Sequence, residues 1–354
     1  MLILGIETSC DETAAAVIEA ESAGAPPWRL RSSVIASQVA IHRDWGGVVP
    51  ELASRQHVRD ICGVVEQALA DAGVAWHDLG AVAVTEGPGL VGSLLVGVSF
   101  AKAAAWARGL PLVAVNHIAG HIESLWLAHG ELPVPAVVLV VSGGHTSLYL
   151  VPAPGAYRLL GRTRDDAAGE AYDKVAKLLG LGYPGGPIVD RLAAAGRDDA
   201  VDLPLTRLTS PDRNAPNRDG RFDFSFSGVK TAVLRHVRLR QAALGVETLP
   251  DHEIADVCAS FQRTVVRVLA DRLFSAANAY GAQAVGVAGG VSANSQLRAG
   301  FAERGRALRL PVFVPPVSLS TDNAAMIAAA GLRRVRRGEF AGDRLNASPA
   351  LVLA

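Results

Sequence analysis

Two histidines four residues apart are the first feature of this sequence that could carry chemistry. His117 and His121 follow a short apolar run, Leu112 to Val115, and open a stretch with helical spacing. Residues four apart share one face of a helix, so the two imidazoles can bind one metal ion. The carboxyl end of a strand, where ligand sites of open α/β sheets gather, also suits such a site. Two ligands are too few, so a third must come from elsewhere.

Asp322 is the candidate third ligand. It lies in the polar run Ser318 to Asn323, just before the last helical stretch. Capping that helix is the alternative role for Asp322. A zinc peptidase would carry a Glu directly after the first histidine, and Ile118 stands there instead. A metallopeptidase therefore remains an alternative that rests on the histidine pair alone.

A similar pattern of strand, polar turn and strand occurs twice. Residues 2–7 form a strand, and the polar turn from Thr8 to Thr13 leads into a second strand. The buried run from Ala136 to Val141 likewise leads into Ser142-Gly143-Gly144-His145-Thr146, a small-residue turn suited to an anionic or phosphate-bearing ligand. This repetition predicts a duplicated α/β protein, and by analogy the two-lobed actin-like, Hsp70-like (ASKHA) ATPase fold, with its two hairpins facing a cleft.

Composition narrows the function classes. The 354 residues are 50% hydrophobic with a mean hydropathy of +0.26, and Lys+Arg and Asp+Glu both number 34, so no net basic charge indicates nucleic acid. Apolar runs stay short of a membrane span, and the N-terminus carries no export signal, so we expect a cytoplasmic protein. Three scattered cysteines without a CxxC exclude a disulfide framework and a cysteine zinc site.

The order of strand and helix patterns predicts how the lobes divide the chain. We expect residues 1–115 to form the first lobe, completed by a C-terminal helix over residues 322–340. Residues 116–321 should form the second lobe. Its Pro- and Arg-rich segment 198–224 carries little regular pattern and is predicted to be an irregular insertion.

Seven motifs in order give the chain a family resemblance: IETSCDET, NHIAGH, VSGGHT, DDAAGEAYDKVAKLLGLGYPGGP, FDFSFSGVKT, AGGVSANSQLR and STDNAAMIA. The sequence resembles the tRNA N6-adenosine threonylcarbamoyltransferase family (TsaD, formerly labelled O-sialoglycoprotein endopeptidase), in its bacterial branch, over nearly its whole length. The resemblance implies transfer of a threonylcarbamoyl group from threonylcarbamoyl-AMP to the exocyclic N6 amine of the adenosine 3′ of the anticodon, in tRNAs that read codons starting with A.

The resemblance also implies a site. His117, His121 and Asp322 would hold one divalent metal per subunit, with Fe²⁺ favoured by the set of two His and one carboxylate, and Zn²⁺ or Mg²⁺ as alternatives. Asp11 and Glu12 are candidates for taking the proton from the amine, and turn capping is their alternative role. The residues that match substrate-binding positions are Val140, Val141, Ser142, Gly143, Gly144, Asp173, Gly186, Asp190 and Asn294.

Partners follow from the same resemblance: tRNA, threonylcarbamoyl-AMP, a non-catalytic paralogue (TsaB-like) and a small ATPase (TsaE-like), with no membrane. A small-molecule kinase or ATPase is the alternative that the fold alone suggests. For tRNA, we expect the arginines that follow Asp322 to contact phosphates of the anticodon stem, with segment 207–221 as the next choice. These arginines are Arg333, Arg334, Arg336 and Arg337.

Overall fold

Two five-stranded mixed sheets organise the chain, which the computed structural model describes over residues 1–21, 28–205 and 220–353. The chain divides into two units. Unit 1 comprises Met1–Leu132, Pro154–Ala156 and Pro315–Ala354, and unit 2 comprises Pro133–Ala153 and Tyr157–Val314. The predicted boundary lies after residue 115, whereas the division in the structure falls after Leu132, one helix later. Residues 206–219 of the predicted insertion 198–224 lie outside the described residues.

The sheet of unit 1 has the strand order β3-β2-β1-β4-β5. Its strands are β1 (Leu2–Glu7), β2 (Glu12–Ala20), β3 (Trp28–Ser37), β4 (Leu79–Gly87) and β5 (Leu112–Asn116). The helices of this unit, numbered in chain order, are α1 (Val39–His42), α2 (Pro50–Ala72), α3 (Val91–Arg108), α4 (His117–His129) and α10 (Ala324–Arg336). Helix α10 packs on the sheet and on α4.

The sheet of unit 2 has the strand order β10-β9-β6-β7-β8. Its strands are β6 (Ala136–Val141), β7 (Thr146–Ala153), β8 (Ala156–Arg162), β9 (Ala284–Ala288) and β10 (Val312–Phe313). Its helices are α5 (Ala168–Leu178), α6 (Gly185–Ala193), α7 (Ser227–Leu244), α8 (Asp251–Ala279) and α9 (Ser295–Leu308). Buried apolar side chains of these helices and of β6 and β9 form one core.

The two sheets repeat one topology. Strand β1 pairs antiparallel with β2 and parallel with β4, as β6 pairs antiparallel with β7 and parallel with β9. Each sheet then adds one more parallel strand on the same side: β5 pairs with β4, and β10 pairs with β9. The duplication predicted from the two strand-turn-strand patterns is therefore confirmed.

Close packing of α10 on β1 depends on a glycine. A Cβ added at Gly5 would collide with the backbone oxygen of Ala324 and lie 2.7 Å from the backbone nitrogen of Ala328. Because no side chain fits there, the first turns of α10 lie directly against the strand. This contact places the residues that precede α10, Asp322 among them, at the carboxyl end of β1.

The C-terminal helix is shorter than the predicted span 322–340. It begins at Ala324 because the side chain of Asn323 caps it, accepting a hydrogen bond from the backbone N–H of Met326 at 3.0 Å. It ends at Arg336, just before Gly338, which has a φ of 69°. The capping role considered for Asp322 therefore belongs to its neighbour.

A search of the described residues finds no helix with both the length and the apolar character needed to cross a membrane.

Candidate metal centre

Helix α4 begins at the first predicted ligand. The side chain of Asn116 caps the helix, accepting hydrogen bonds from the backbone N–H groups of Ile118 (2.9 Å) and Ala119 (3.3 Å). His117 is thereby fixed at the junction of β5 and α4, and His121 follows one turn later on the same face. One capped junction thus positions both imidazoles.

The structure brings the three predicted ligands together within unit 1. Asp322 Oδ1 lies 3.5 Å from His117 Nε2 and 3.2 Å from His121 Nε2. One potential ligand atom from each residue lies within 4.8 Å of the others. Both histidines are buried, whereas Asp322 is partly exposed. This arrangement leaves one accessible side from which a substrate or water could reach a bound ion.

The side chain of His121 fits a metal better than it fits a protein partner. The residue is 0% exposed; its Nδ1 makes no hydrogen bond among the described residues, and its Nε2 faces Asp322 Oδ1 at 3.2 Å, where an ion could lie between them. Leaving such buried groups unsatisfied is costly. Burial also lowers the pKa of His121, which keeps the ring neutral. A neutral imidazole offers a lone pair, so a bound cation would satisfy it.

Behind His117 lies a carboxylate that sequence reasoning missed. Glu7, at the end of β1, places Oε2 3.1 Å from His117 Nδ1 and accepts a 2.7 Å hydrogen bond from the Thr85 hydroxyl. The Ser9 hydroxyl lies 3.2 Å from the same imidazole nitrogen. A carboxylate behind a ligating histidine orients the ring and increases its basicity. The available signal was a lone acid ending an otherwise apolar strand, since a buried carboxylate requires a partner.

Charges around His117 favour its protonated form when no ion is bound. Burial opposes the charge, but the carboxylates of Asp322 and Glu7 outweigh it and raise the pKa of His117 to about 9. Burial likewise opposes ionisation of Glu7, yet the attraction to His117 leaves the pKa of Glu7 below its usual value. A metal ion would therefore have to displace a proton from His117.

Of the two proton-acceptor candidates, Asp11 lies in the turn between β1 and β2, and Glu12 is the first residue of β2. Burial and then the negative charges of Asp11 and Asp322 raise the pKa of Glu12 to about 10. Glu12 therefore holds a proton near neutral pH and is suited to donating rather than accepting one. Asp11, whose charge contributes to that shift, is the better candidate for the base.

In unit 2, the predicted Val140 to Gly144 segment presents backbone rather than side chains. Val140 and Val141 are 0% exposed and lie in β6, which pairs with β7 and β9, so neither residue presents an accessible atom. Gly143 and Gly144 are exposed, and a Cβ at either would meet no other atom within 4 Å. Ser142 closes the turn by accepting a hydrogen bond from the backbone N–H of His145 at 3.2 Å. The turn is therefore open on its glycine side.

Asp173 and Gly186 lie close together in the same unit. Asp173 Oδ1 accepts a 2.7 Å hydrogen bond from the backbone N–H of Gly185, which starts α6. The adjoining Gly186 has open space where a side chain would be. The start of α6 is thus tied to α5 through Asp173.

Asp190 and Asn294 form one hydrogen-bonded network with two residues that sequence reasoning did not select. Asp190 accepts hydrogen bonds from the amides of Asn294 (3.0 Å) and Gln262 (2.9 Å), and from the hydroxyl and backbone N–H of Ser295 (2.8 and 3.1 Å). Asn294 also caps α9 through the backbone N–H of Leu297. Because a carboxylate has about four acceptor positions, Asp190 mainly positions its protein neighbours.

The expected phosphate-binding role of Arg333 is wrong. Its side chain is buried at 8% exposure, and its Nε donates a 2.8 Å hydrogen bond to the carboxylate of Glu123 on α4. Its guanidinium lies over the rings of Trp28 and Trp126, 4.8 and 5.6 Å from their centroids. The sequence shows a basic run but does not show that its first member points inward.

Two of the other arginines are also engaged within unit 1. Arg334 donates hydrogen bonds to the backbone oxygen of Ala114 and to Glu339. Arg337 donates to the backbone oxygens of Gly155 and Pro154. Arg336 is exposed. The four residues therefore do not form the exposed cluster that we predicted, and most of the second choice, residues 207–219 of segment 207–221, lies outside the described residues.

Comparison with known proteins agrees with the motif order. A family model described as TsaD, tRNA N6-adenosine threonylcarbamoyltransferase, matches residues 29–329. Relatives with that name include one from Anaeromyxobacter dehalogenans (strain 2CP-C), 53% identical over 349 residues, with 98% of each chain covered. Another, from Koribacter versatilis, is 50% identical over 382 aligned positions, with 99% of each chain covered. The similarity therefore extends over both units.

Solved structures support the fold. Full-length HypF gives a TM-score of 0.57 at 13% identity, covering 95% of this chain and 55% of that one. Component A of the (R)-2-hydroxyglutaryl-CoA dehydratase of Acidaminococcus fermentans gives 0.51 at 13% identity, covering 94% and 98%. At such low identity these likenesses bear on the fold alone, and they confirm the actin-like α/β class.

Proposed function

The chain belongs to the tRNA N6-adenosine threonylcarbamoyltransferase family, and we propose that it transfers a threonylcarbamoyl group to the N6 amine of an adenosine in tRNA. The observation that carries this function is identity of 50% or more to enzymes of that name over 98% or more of both chains. The metallopeptidase and small-molecule kinase alternatives are not favoured. The first rests on a histidine pair without its catalytic Glu, and the second rests on fold analogy.

The proposed donor is threonylcarbamoyl-AMP, and the proposed acceptor is the adenosine 3′ of the anticodon in tRNAs that read codons starting with A. An exocyclic adenine amine is a weak nucleophile because its lone pair is delocalised into the purine. The enzyme must therefore gain rate from positioning the two substrates and from stabilising charge on the carbamoyl oxygen and the departing phosphate. Polar groups of each unit are suited to parts of this task.

In unit 1, His117, His121 and Asp322 would hold one divalent ion. When bound, such an ion supplies Lewis-acid stabilisation of developing negative charge. Glu7 orients the ring of His117, while burial keeps His121 neutral and able to bind. Two imidazoles and one carboxylate favour Fe²⁺ over Zn²⁺ or Mg²⁺. Elemental analysis of the purified chain distinguishes the three.

In the same unit, Asp11 is the group we propose to accept the proton of the attacking amine. Glu12, which holds its own proton, is suited to donating a hydrogen bond. In unit 2, the peptide groups of residues 142–144 suit the phosphate or the threonyl carboxylate of the donor, since Gly143 and Gly144 leave the backbone open. Asp173, Gly186 and Asn294 would complete the donor site, with Asp190 fixing Asn294.

Partners and location remain proposals. We propose that a non-catalytic paralogue and a small ATPase support turnover, so an assay of the chain alone could underestimate its activity. Action on tRNA agrees with the cytoplasmic location expected from the sequence.

The experiment that tests the function is nucleoside analysis of tRNA from a strain depleted of this chain. Threonylcarbamoyladenosine should fall, and re-expression of the wild-type chain should restore it. Other modified nucleosides in the same digest serve as the internal control. An unchanged level of threonylcarbamoyladenosine after depletion would overturn the assignment.

A further inference from the structure

A buried imidazole holds the turn that carries Asp11 and Glu12. His57, on α2, is 0% exposed, and its Nε2 lies 3.0 Å from the backbone oxygen of Cys10. Its Nδ1 lies 2.7 Å from the hydroxyl of Thr13. The ring therefore contacts both ends of the segment from residue 10 to residue 13. No step of the proposed reaction yet gives this histidine a role.

The partners of His57 determine which nitrogen carries the hydrogen. A carbonyl oxygen only accepts, so Nε2 must be the donor to Cys10. Nδ1 of the neutral ring then accepts from the Thr13 hydroxyl and from the Gln38 amide, which is 3.4 Å away. Burial lowers the pKa of His57, in agreement with a neutral ring. The direction of each hydrogen bond is thus fixed.

A second buried histidine fixes the orientation of Gln38. The backbone N–H of Val49 donates to His42 Nδ1 at 3.3 Å, which leaves the hydrogen on Nε2, 3.2 Å from Gln38 Oε1. Gln38 must then point its amide nitrogen at His57 and at the backbone oxygen of Ala53, 3.4 Å away. These bonds form a single chain that runs from His42 through Gln38 and His57 to Cys10.

The turn at the end of this chain adjoins the metal centre. One residue before Cys10, the Ser9 hydroxyl contacts His117 Nδ1 at 3.2 Å. Two residues after it, Glu12 responds to the charge of Asp322. Gln38 adds a second restraint, because its backbone N–H donates to the carbonyl oxygen of Asp11 at 3.0 Å. A shift of the Cys10 carbonyl would therefore displace the carboxyl groups proposed to handle the proton.

We propose that His57 is a positioning residue: through its Nε2–H bond to Cys10 it holds Asp11 and Glu12 in register with the metal-ligating cluster. This inference rests on the proposed function, because the value of that register is the transfer reaction. The ring touches neither the ligands nor the proposed reacting groups directly. Its substitution should therefore affect turnover more than metal binding.

Two amide substitutions separate the roles of the ring nitrogens. In His57→Gln, the terminal amide reaches the position of Nε2 and can still donate to Cys10. In His57→Asn, the shorter side chain can accept from Thr13 but does not reach Cys10. The two side chains are chemically alike, and they separate the two bonds: Gln keeps the bond to Cys10 and loses the acceptor for Thr13, whereas Asn does the reverse. The pair His77→Gln and His77→Asn, at a side chain that is 85% exposed, is the matched control.

Transfer kinetics should follow the bond to Cys10. We expect His57→Asn to lower kcat about 10- to 100-fold, as displacement of catalytic groups does, with KM within about twofold and metal content unchanged. His57→Gln should retain most of the wild-type kcat. Equal activity of His57→Asn and wild type would overturn the proposal. So would an equal loss in both variants, or a loss that parallels the loss of metal.

Hydrogen exchange gives a readout that does not depend on the reaction. Peptides covering residues 8–13 should exchange faster in His57→Asn than in His57→Gln, with the rest of unit 1 unchanged. This comparison decides whether His57 restrains the turn even if the wild-type chain proves to lack transferase activity, an outcome that would overturn the proposed function instead. Equal exchange in the two variants would overturn the restraint itself.

Thr13 offers a milder pair if either His57 variant fails to fold. Thr13→Val removes the hydroxyl at nearly constant volume, whereas Thr13→Ser keeps it. Thr13→Val removes the donor to Nδ1 but keeps the bond from Nε2 to Cys10, so it should lower kcat by less than His57→Asn does, whereas Thr13→Ser should stay close to wild type. Indistinguishable kinetics and exchange in these two variants would count against the proposal.

Discussion

Glu7 determines which ring nitrogen of His117 is available to bind an ion. Its carboxylate lies 3.1 Å from Nδ1, which directs Nε2 toward Asp322. In Glu7→Gln the hydrogen bond can persist, but the negative charge that increases the basicity of the ring is lost. We expect metal affinity to fall about 10- to 100-fold, as is typical for the partner behind a ligating histidine. Titration of the metal-free chain, followed by elemental analysis, measures the change.

The matched control for Glu7 is Glu19→Gln, which changes a carboxylate paired with Arg31 at the surface of the same sheet. This variant should bind metal as the wild type does. Wild-type affinity in Glu7→Gln as well would show that the carboxylate only satisfies a buried hydrogen bond.

Glu12 predicts a pH dependence of stability in the metal-free chain. Its pKa is about 10 when folded and near 4.5 in the unfolded chain, so above pH 4.5 the unfolded state releases a proton that the folded state keeps. Unfolding is therefore increasingly favoured as pH rises toward 10. Glu12→Gln removes this ionisable group, so the variant lacks this pH dependence. The Tm of the wild type should therefore fall relative to that of the variant between pH 5 and pH 9.

Thermal melts in the presence of a chelator at several pH values measure this difference. A constant Tm difference between wild type and Glu12→Gln across the range would mean that Glu12 ionises normally. In that case Glu12 would again stand beside Asp11 as a base.

How far the site was predictable differs from residue to residue. The ligands His117 and His121 follow from spacing, because helical periodicity determines which side chains share a face. Glu7, Ser9 and His57 make their contacts across more than 40 positions of the chain, and no local pattern encodes such contacts. Residue types and periodicity identify chemistry on one element, whereas pairings between distant elements require the fold.

At the scale of an element, the start of α10 separates two neighbouring roles. Asn323 caps the helix, while Asp322 faces the histidines. Asn323→Ala should cost about 1 kcal/mol of stability by loss of the cap, with the metal ligands retained. Asp322→Asn should keep the Tm of the metal-free chain within a few degrees and lose metal affinity. Denaturation and metal titration of both variants test this: Asn323→Ala should lose stability and keep metal affinity, and Asp322→Asn should do the reverse. The same loss in both variants would contradict this division of roles.

The contact between α4 and α10 predicts a large effect of Arg333. Glu123 is 0% exposed, so Arg333→Met would remove the cation that pairs with this buried carboxylate. Breaking a buried ion pair in this way typically costs about 3–5 kcal/mol. Adding Glu123→Gln to that variant should recover part of the loss. Urea denaturation measures both values.

Arg336→Met is the control on the same helix, because Arg336 is exposed, and a change within about 0.5 kcal/mol is expected. A small effect of Arg333→Met would mean that the pair contributes little, and the predicted surface role of the arginines would merit a new test.

Elements with strong periodicity and clear end signals were predicted best. Helix α2 spans Pro50–Ala72, and the sequence shows both of its end signals, a proline at its first position and Gly73 after its end. Strand β10 covers only Val312–Phe313, because an edge strand lasts only as long as its partner offers hydrogen bonds. Local signals therefore define helices, while tertiary pairing defines short strands.

At the scale of the whole molecule, the ligands come from distant parts of the sequence. His117 and His121 precede residues 133–153 and 157–314 of unit 2, and Asp322 follows them. Unit 1 is therefore complete only when the chain returns to it through α10. The duplicated pattern in the sequence predicted two similar sheets, but it did not predict that α4 belongs to the first.

This arrangement predicts where metal binding stabilises the protein. A ligand that binds only the folded state adds about 2.7 kcal/mol at 100 times its Kd, and all three ligands lie in unit 1. Hydrogen exchange should therefore slow in α4 and in the segment from Val317 to Arg336 when metal is added, with a smaller effect in β6 and β9. His121→Ala should abolish the difference, whereas His129→Ala, an exposed change on the same helix, should retain it. Equal slowing in both units, or slowing that persists in His121→Ala, would show that the stabilising ion binds elsewhere.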